Sequence, residues 1–260
     1  MERSRWQYMA WMLAALLCSA APAGAVTINP SFETGDTSGW TVMGDVSVVD
    51  GSFGVTPSDG SYQLLLTTGS GAVTPDATET AMGLPNNAIR HLFRDNIAKP
   101  GESSGTWPIE GSAVQQSFYA DAGDVLTFDW DFLADEFTRS PLDPDYYTDF
   151  LWGYLEGPSS DQEFALAHVN QDPSNFVASA STFNDETGYQ TFTFTFTEAG
   201  DYTLTLGVHD IEDTLHDTGA IFDNFYLSKA PEPDTFLLVA GGLLGLAWHA
   251  RRRKAQRASH

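Results

Sequence analysis

Polar and apolar residues alternate with a period of two through the middle of the chain. Thr191-Phe192-Thr193-Phe194-Thr195-Phe196 sends phenylalanine to one side and threonine to the other, as in a half-buried strand. Tyr202-Thr203-Leu204-Thr205-Leu206 repeats the pattern, and Glu198-Ala199-Gly200-Asp201 between them reads as a hairpin turn. Further strands are predicted at Thr41–Val49, Tyr62–Thr67, Ala113–Tyr119, Val125–Phe132, Phe150–Leu155, Phe164–Val169 and Ile221–Leu227. Asp59-Gly60, Ala122-Gly123-Asp124 and Glu156-Gly157-Pro158 punctuate them. One helix is predicted, Asn86–Asn96, inside a long insertion from Thr68 to Gly111. About nine short strands with little helix predict an all-β, antiparallel β-sandwich. No internal repeat is visible.

The two ends break this alternation with continuous apolar runs. Arg3 and Arg5 precede an apolar stretch, Met9 to Leu17, that is too short to span a bilayer. Ala23-Gly24-Ala25 then offers the small residues of a signal-peptidase site, so residues 1–25 are predicted to be a signal peptide cleaved after Ala25. Leu17 stands before Cys18, where a lipoprotein signal requires a small residue, and that route is set aside. At the other end Thr235 to Ala250 is almost wholly apolar. Its sixteen positions make about 24 Å of helix, short for a hydrocarbon core of about 30 Å. Arg251, Arg252, Arg253 and Lys254 follow and are expected to stay cytoplasmic, which places residues 26–234 outside.

Pro231-Glu232-Pro233, then the apolar stretch, then the basic cluster resembles the PEP-CTERM sorting signal of exported proteins of Gram-negative bacteria. The resemblance implies recognition by an exosortase that cuts near the Pro-Glu-Pro. The short helix, with Trp248 and His249 near its inner end, departs from the family's pattern. The implied organisation is a signal peptide (1–25), a β-sandwich domain (26–229), a sorting signal with a short transmembrane helix (230–254) and a cytoplasmic tail (255–260). The helix is then a temporary anchor, and the product resides at the cell surface or beyond it.

Charge narrows the partners. Residues 26–233 hold 33 acidic side chains (35 less Glu2 and Asp234) and five basic ones (Arg90, Arg94, Lys99, Arg139, Lys229), a net charge of −28. Such a surface repels nucleic acid and anionic lipid and favours divalent cations. The single cysteine lies in the signal segment, so no disulfide holds the exported part together.

The opening Asn29-Pro30-Ser31-Phe32-Glu33-Thr34-Gly35-Asp36, with Ser38-Gly39-Trp40, resembles jelly-roll domains of the galactose-binding-like and carbohydrate-binding-module kind. Gly60-Ser61-Tyr62 and Asp223-Asn224-Phe225 fit later elements of the same pattern. The resemblance implies a structural Ca²⁺ where the first and last strands meet, with Glu33, Asp36 and Asp223 as its ligands. Oxygen-rich turns are what Ca²⁺ requires.

Three other groups carry candidate chemistry. His209 to Gly219 holds two histidines and four carboxylates between predicted strands, in a spacing that fits neither an EF-hand nor a His-Glu-x-x-His site. Asp129 and Asp131 share a strand face opposite Trp130, with Asp135 and Glu136 beyond, which invites a paired-carboxylate hydrolase or a plain solvent face. Tyr146, Tyr147 and Trp152, with Trp107 and Tyr154, offer a stacking platform for sugar rings, or core packing. No serine-nucleophile motif, phosphate loop or catalytic cysteine is present. Three functions stand open: a non-catalytic surface or matrix protein that binds exopolysaccharide, a secreted polysaccharide hydrolase, and a calcium-dependent adhesive matrix protein.

Overall fold

A computed structural model of the chain describes residues 29–97, 107–135, 148–171, 175–212 and 214–230. Its first two strands show how the sandwich is started. The predicted strand Thr41–Val49 is two strands, β1 (Thr41–Met43) and β2 (Asp45–Asp50), lying in different sheets. Gly44 makes the crossing with a φ of 90°. A Cβ there would sit 2.4 Å from Ser112 Oγ and 2.7 Å from the Gly111 carbonyl oxygen, so only glycine fits.

The remaining strands are β3 (Tyr62–Thr67), β4 (Pro108–Ala120), β5 (Val125–Ala134), β6 (Phe150–Glu156) and β7 (Gln162–His168). After them come β8 (Val177–Ala178), β9 (Asp185–Glu186), β10 (Gln190–Thr195), β11 (Gly200–Ile211) and β12 (Thr218–Ser228). Sheet A runs β1-β4-β11-β6-β7, and sheet B runs β2-β3-β12-β5-β9-β8 with β10 also on β5. Every pairing is antiparallel. The chain is an antiparallel jelly-roll β-sandwich.

The predicted hairpin of Thr191–Phe196 with Tyr202–Leu206 does not form. β10 belongs to sheet B and pairs with β5, whereas β11 belongs to sheet A and lies between β4 and β6. The turn between them carries the chain across the core. The physical reason lies in the alternation itself, which gives each strand an apolar face. Those faces are buried better face to face than edge to edge. Phe196 and Tyr202 meet across the arch with ring centroids 4.5 Å apart. Between the sheets Val114, Leu126, Phe128, Phe132, Leu204, Leu206 and Phe222 form a fully buried core.

The insertion holds two helices, α1 (Pro75–Met82) and α2 (Ala88–Asn96). Only α2 is foreseen by the apolar periodicity. α1 starts on a capping Thr74 with Pro75 in its first turn and ends at Gly83, with a φ of 69°. Glu79 of α1 reaches across to the start of α2, where its carboxylate accepts from the N–H groups of Asn87 (2.8 Å) and Ile89 (3.1 Å). A buried negative group at a helix N-terminus satisfies donors the helix leaves open and suits its dipole. Gln115 donates to the Met82 carbonyl at 2.7 Å and fastens α1 to β4. Among the described residues no helix is long and apolar enough to cross a membrane. The predicted signal peptide and the tail from Pro231 onward lie outside the described residues.

Candidate functional site

A two-layer sandwich has two outer faces, and this chain treats them differently. The outer face of sheet A is covered around Phe150 to Tyr154 by its own insertion, while Ser117 and Tyr119 near the end of β4 stay exposed. Met82, Ala88, Ile89, Leu92 and Phe93 pack on Ala113, Phe150, Trp152, Tyr154 and Ile211. Trp152 is fully buried there, its indole lying on Gly207, where a Cβ would come within 2.5 Å of the ring. Its N–H donates to His209 Nδ1 at 2.9 Å. His209 is itself fully buried, and burial pushes its pKa down to about 3, so it stays neutral. The assignment of Trp152 as a ligand-binding residue is therefore corrected: it is a core residue. Tyr154 is buried as well, with its hydroxyl on Asp161 at 2.7 Å. Trp107 is 40% exposed with the Arg90 guanidinium over its ring. Tyr146 and Tyr147 lie outside the described residues. The aromatic platform is not assembled among the described residues.

Sheet B is half covered. Loop residues Val55 and Phe183 close over Leu65, Leu133 and Ile221, joined by Phe53 and Tyr189. Beneath this cover Asp131 is fully buried and accepts from Thr187 Oγ1 at 3.1 Å through one oxygen, while its other oxygen has no partner among the described residues. Burial, together with the charge of Glu186, pushes its pKa up to about 7. Tyr189 donates its hydroxyl to Gln63 close by.

The other half of sheet B's outer face, formed by β10, β5 and β12, is open. Register places Thr191 beside Asp129, Thr193 beside Thr127 and Thr195 beside Val125. All three threonines are exposed, and their hydroxyls repeat about every 6.7 Å along the strand. Asp129 accepts from Thr191 Oγ1 at 2.6 Å and from Asn224 Nδ2 at 3.0 Å. A bulge in β12 between Asp223 and Tyr226 turns Asn224 outward at a φ of 54°. Tyr226, opposite Thr127, is 61% exposed. Of the residues at the heart of this face, Asn224 lies in the Asp223-Asn224-Phe225 motif, which gave it no binding role, and Tyr226 had no distinguishing pattern in the sequence. The bulge that exposes them is visible only in the register.

The proposed calcium ligands are not brought into one cluster. Glu33 accepts from the N–H groups of Ser61 (2.8 Å) and Tyr62 (2.9 Å). Asp36 closes its own turn, taking Thr34 Oγ1 at 2.8 Å and Ser38 N–H at 3.0 Å, and the Ser38 bonds hold it below the usual carboxylate range. Asp223 is buried and takes the N–H groups of Asp59 and Asn224, each at 2.8 Å. Burial raises it to about 6 despite these donors. Among the described residues no group of three or more His, Cys, Asp and Glu side chains is placed to hold a metal ion. Asp223 commits both of its oxygens to N–H donors and Glu33 and Asp36 one each, and the three are not gathered into the expected calcium cage.

The stretch His209–Gly219 is not one loop. His209 to Ile211 complete β11, while His216 and Asp217 are exposed before β12. Glu212 turns away to accept from the Trp107 N–H at 2.9 Å.

The end of the domain is pinned. The buried Asp124 takes Lys229 Nζ at 2.7 Å, Asp121 N–H at 2.9 Å and Ala230 N–H at 2.8 Å. Burial works against its charge, yet these donors outweigh it and hold its pKa below the usual range. Pro231-Glu232-Pro233 and the basic cluster Arg251 to Arg253 lie outside the described residues, but the first of them follows this clip directly.

Residues 229–253 match the family described as the PEP-CTERM protein-sorting motif. No curated protein matches the sequence. Among solved structures the chain is similar to TmCBM61, crystallised with β-1,4-galactotriose, at 15% identity and a TM-score of 0.41, over 78% of this chain and 96% of that one. It is also similar to the K1 cleaved adhesin domain of Lys-gingipain from Porphyromonas gingivalis, at 11% identity and a TM-score of 0.41, over 77% and 96%. The K2 domain of Lys-gingipain gives 10% identity and a TM-score of 0.40, over 80% and 99%. The chain carries a PEP-CTERM sorting motif directly after an antiparallel β-sandwich, and that motif implies export, a membrane-anchored sorting signal and processing by an exosortase.

Proposed function

We propose that the sandwich is a non-catalytic module that binds a neutral extracellular polysaccharide through the open half of sheet B, once the chain is exported and sorted to the cell surface or matrix. One observation carries this reading. The one exposed aromatic ring on that open face among the described residues, Tyr226, stands 61% exposed beside Asn224, Asp129 and the row Thr191, Thr193 and Thr195. A flat aromatic face matches the C–H face of a sugar ring, and hydroxyl, amide and carboxylate groups around it match sugar hydroxyls. The net charge of −28, from five basic and 33 acidic residues in 26–233, disfavours an anionic polymer.

A hydrolase has less support from the acids. Asp131 is sealed from solvent, and Asp129 is already held by Thr191 and Asn224. General acid–base work needs a reachable pair.

Affinity electrophoresis in gels containing neutral exopolysaccharides tests the reading. The wild-type chain is expected to be retarded, and Tyr226→Ala is expected to weaken binding about tenfold, the loss of one stacking contact of ~1.4 kcal/mol. Equal mobility of both proteins in every gel would sink the proposal, and release of reducing ends would favour the hydrolase.

A further inference from the structure

Sheet B ends in an edge that no other described strand occupies. β10 pairs with β5 on one side, from Gln190 opposite Trp130 to Thr195 opposite Val125, and among the described residues no strand lies on its other side. The ladder runs through all six residues without a register shift. The strand is held from beneath. Phe192 stacks on Phe128 with ring centroids 4.8 Å apart and on Phe164 at 4.5 Å, and Phe194 meets Phe196 at 5.1 Å. A regular, fixed edge with open N–H and C=O groups is a template for one more strand.

The other edges carry features that block such pairing. β1 has three residues and β8 two. β2 begins and ends with an aspartate, Asp45 and Asp50. β7 carries Glu163, and a register shift interrupts its pairing with β6. Short length, charge and bulges each discourage edge-to-edge association. β10 has none of them. From Thr187 to Thr197 the chain holds no charged residue and no proline, in a molecule otherwise dense in acids. Threonine and phenylalanine are both strong strand formers.

This strip selects its own copy as partner. Residues 26–233 of each chain carry a net charge of −28, so two copies repel over most of their surface and approach most easily where no charge stands. The alternation is also self-complementary. An antiparallel pair centred on Thr193 sets Thr193 against its counterpart, Thr191 against Thr195 and Phe192 against Phe194. Threonines then face threonines and phenylalanines face phenylalanines, pairs that stabilise a sheet. The two-fold arrangement closes on itself and stops at a dimer. β8, beside β9, occupies the same line beyond Gln190 and confines the incoming strand to β10.

We propose that β10 pairs antiparallel with β10 of a second copy of this chain, joining the two sheets B into one continuous sheet. One consequence rests on the sugar-binding reading above. Tyr226, Thr127 and Thr193 stand in one row across β12, β5 and β10. The dimer continues that row into the second copy and sets the two Tyr226 rings about 24 Å apart, five strand spacings. The two open half-faces become one surface, and a single polymer that touches both gains avidity without any new contact.

Disulfide trapping in the full chain carrying Cys18→Ser tests the pairing. Residues facing each other across antiparallel strands have Cβ atoms about 4.5–5.5 Å apart, close to what a disulfide needs. Thr193→Cys is expected to give about tenfold more covalent dimer on mild oxidation than Ser117→Cys, which is exposed on β4 in the other sheet. Thr191→Cys and Thr195→Cys are each expected to stay monomeric alone and to join when mixed. Thr193→Cys combined with Tyr226→Ala is expected to join as well as Thr193→Cys by itself, so the pairing stands or falls separately from sugar binding. Thr193→Cys giving no more dimer than Ser117→Cys, or Thr191→Cys joining with itself as readily as with Thr195→Cys, would overturn the proposal.

Discussion

Trp152→Ala is expected to lower the stability of the folded chain by about 3–5 kcal/mol, the range for removing a large buried aromatic. Three losses add at that position. The indole leaves a cavity between sheet A and the helices, because it is fully buried against Gly207. The contact with α2 residues through the shared cluster of Ile89, Leu92 and Phe93 is lost. His209 Nδ1 loses the indole N–H it accepts from in a dry interior, at a cost of about 1–3 kcal/mol that partly overlaps with the first two. Trp152→Phe separates these terms in part, since it keeps most of the volume while removing the N–H, and a loss of about 1–2 kcal/mol is expected. Guanidinium unfolding of the three proteins measures both. A ligand-binding Trp152 would give the opposite result, with unchanged stability and weakened polysaccharide binding.

Asp131→Asn is expected to stabilise the chain at pH 8, by about 2–4 kcal/mol. The folded pKa of Asp131 is about 7, above the ordinary 3.8 of an aspartate, because the carboxyl is buried and faces Glu186. The folded state therefore holds a proton that the unfolded state has lost. Below about pH 4 both states are protonated and the group costs nothing. Stability then falls as pH rises through the window from about 4 to about 7, and above it the whole loss is felt. The amide removes the charge, keeps an acceptor for Thr187 Oγ1, and aims an N–H where the carboxylate repelled Glu186. The gain is expected to shrink to near zero by pH 4. Urea unfolding at pH 4, 6 and 8 checks this, and a gain independent of pH would contradict a buried ionisable Asp131.

The legible parts of this molecule are those set by local pattern. Strand alternation at Thr191–Phe196 and Tyr202–Leu206 identified two strands, because the period of two follows from the pleat alone. It could not say whether they pair, since an arch and a hairpin share the same turn residues. Here the apolar faces meet across the core. The sorting motif was legible throughout because it is a linear signal. Helix α1 was missed although Thr74-Pro75 and Gly83 mark its ends. Its weak apolar stripe gives little periodicity, and only packing on β4 shows what it buries. Trp152 was misplaced because the helices that cover it come 56 or more residues earlier in the chain.

Glu33, Asp36 and Asp223 show what a motif leaves open. Their positions match a family pattern, and the structure places all three in tight turns or strand ends, but each carboxylate is committed to N–H donors. A sequence motif fixes residue type and order, whereas ligation depends on which oxygens remain free.

The central claim is that one half of sheet B is the working surface and that the part of sheet A's outer face around Phe150–Tyr154 is closed by the helices. Amide hydrogen exchange of the chain, with and without a saturating neutral polysaccharide, tests it most directly. The account predicts added protection in β5, β10 and β12 around Val125–Asp129, Gln190–Thr195 and Asn224–Ser228, and none in Phe150–Tyr154 or the helices. Protection centred on Phe150–Tyr154 and α2, with β10 and β12 unchanged, would contradict it.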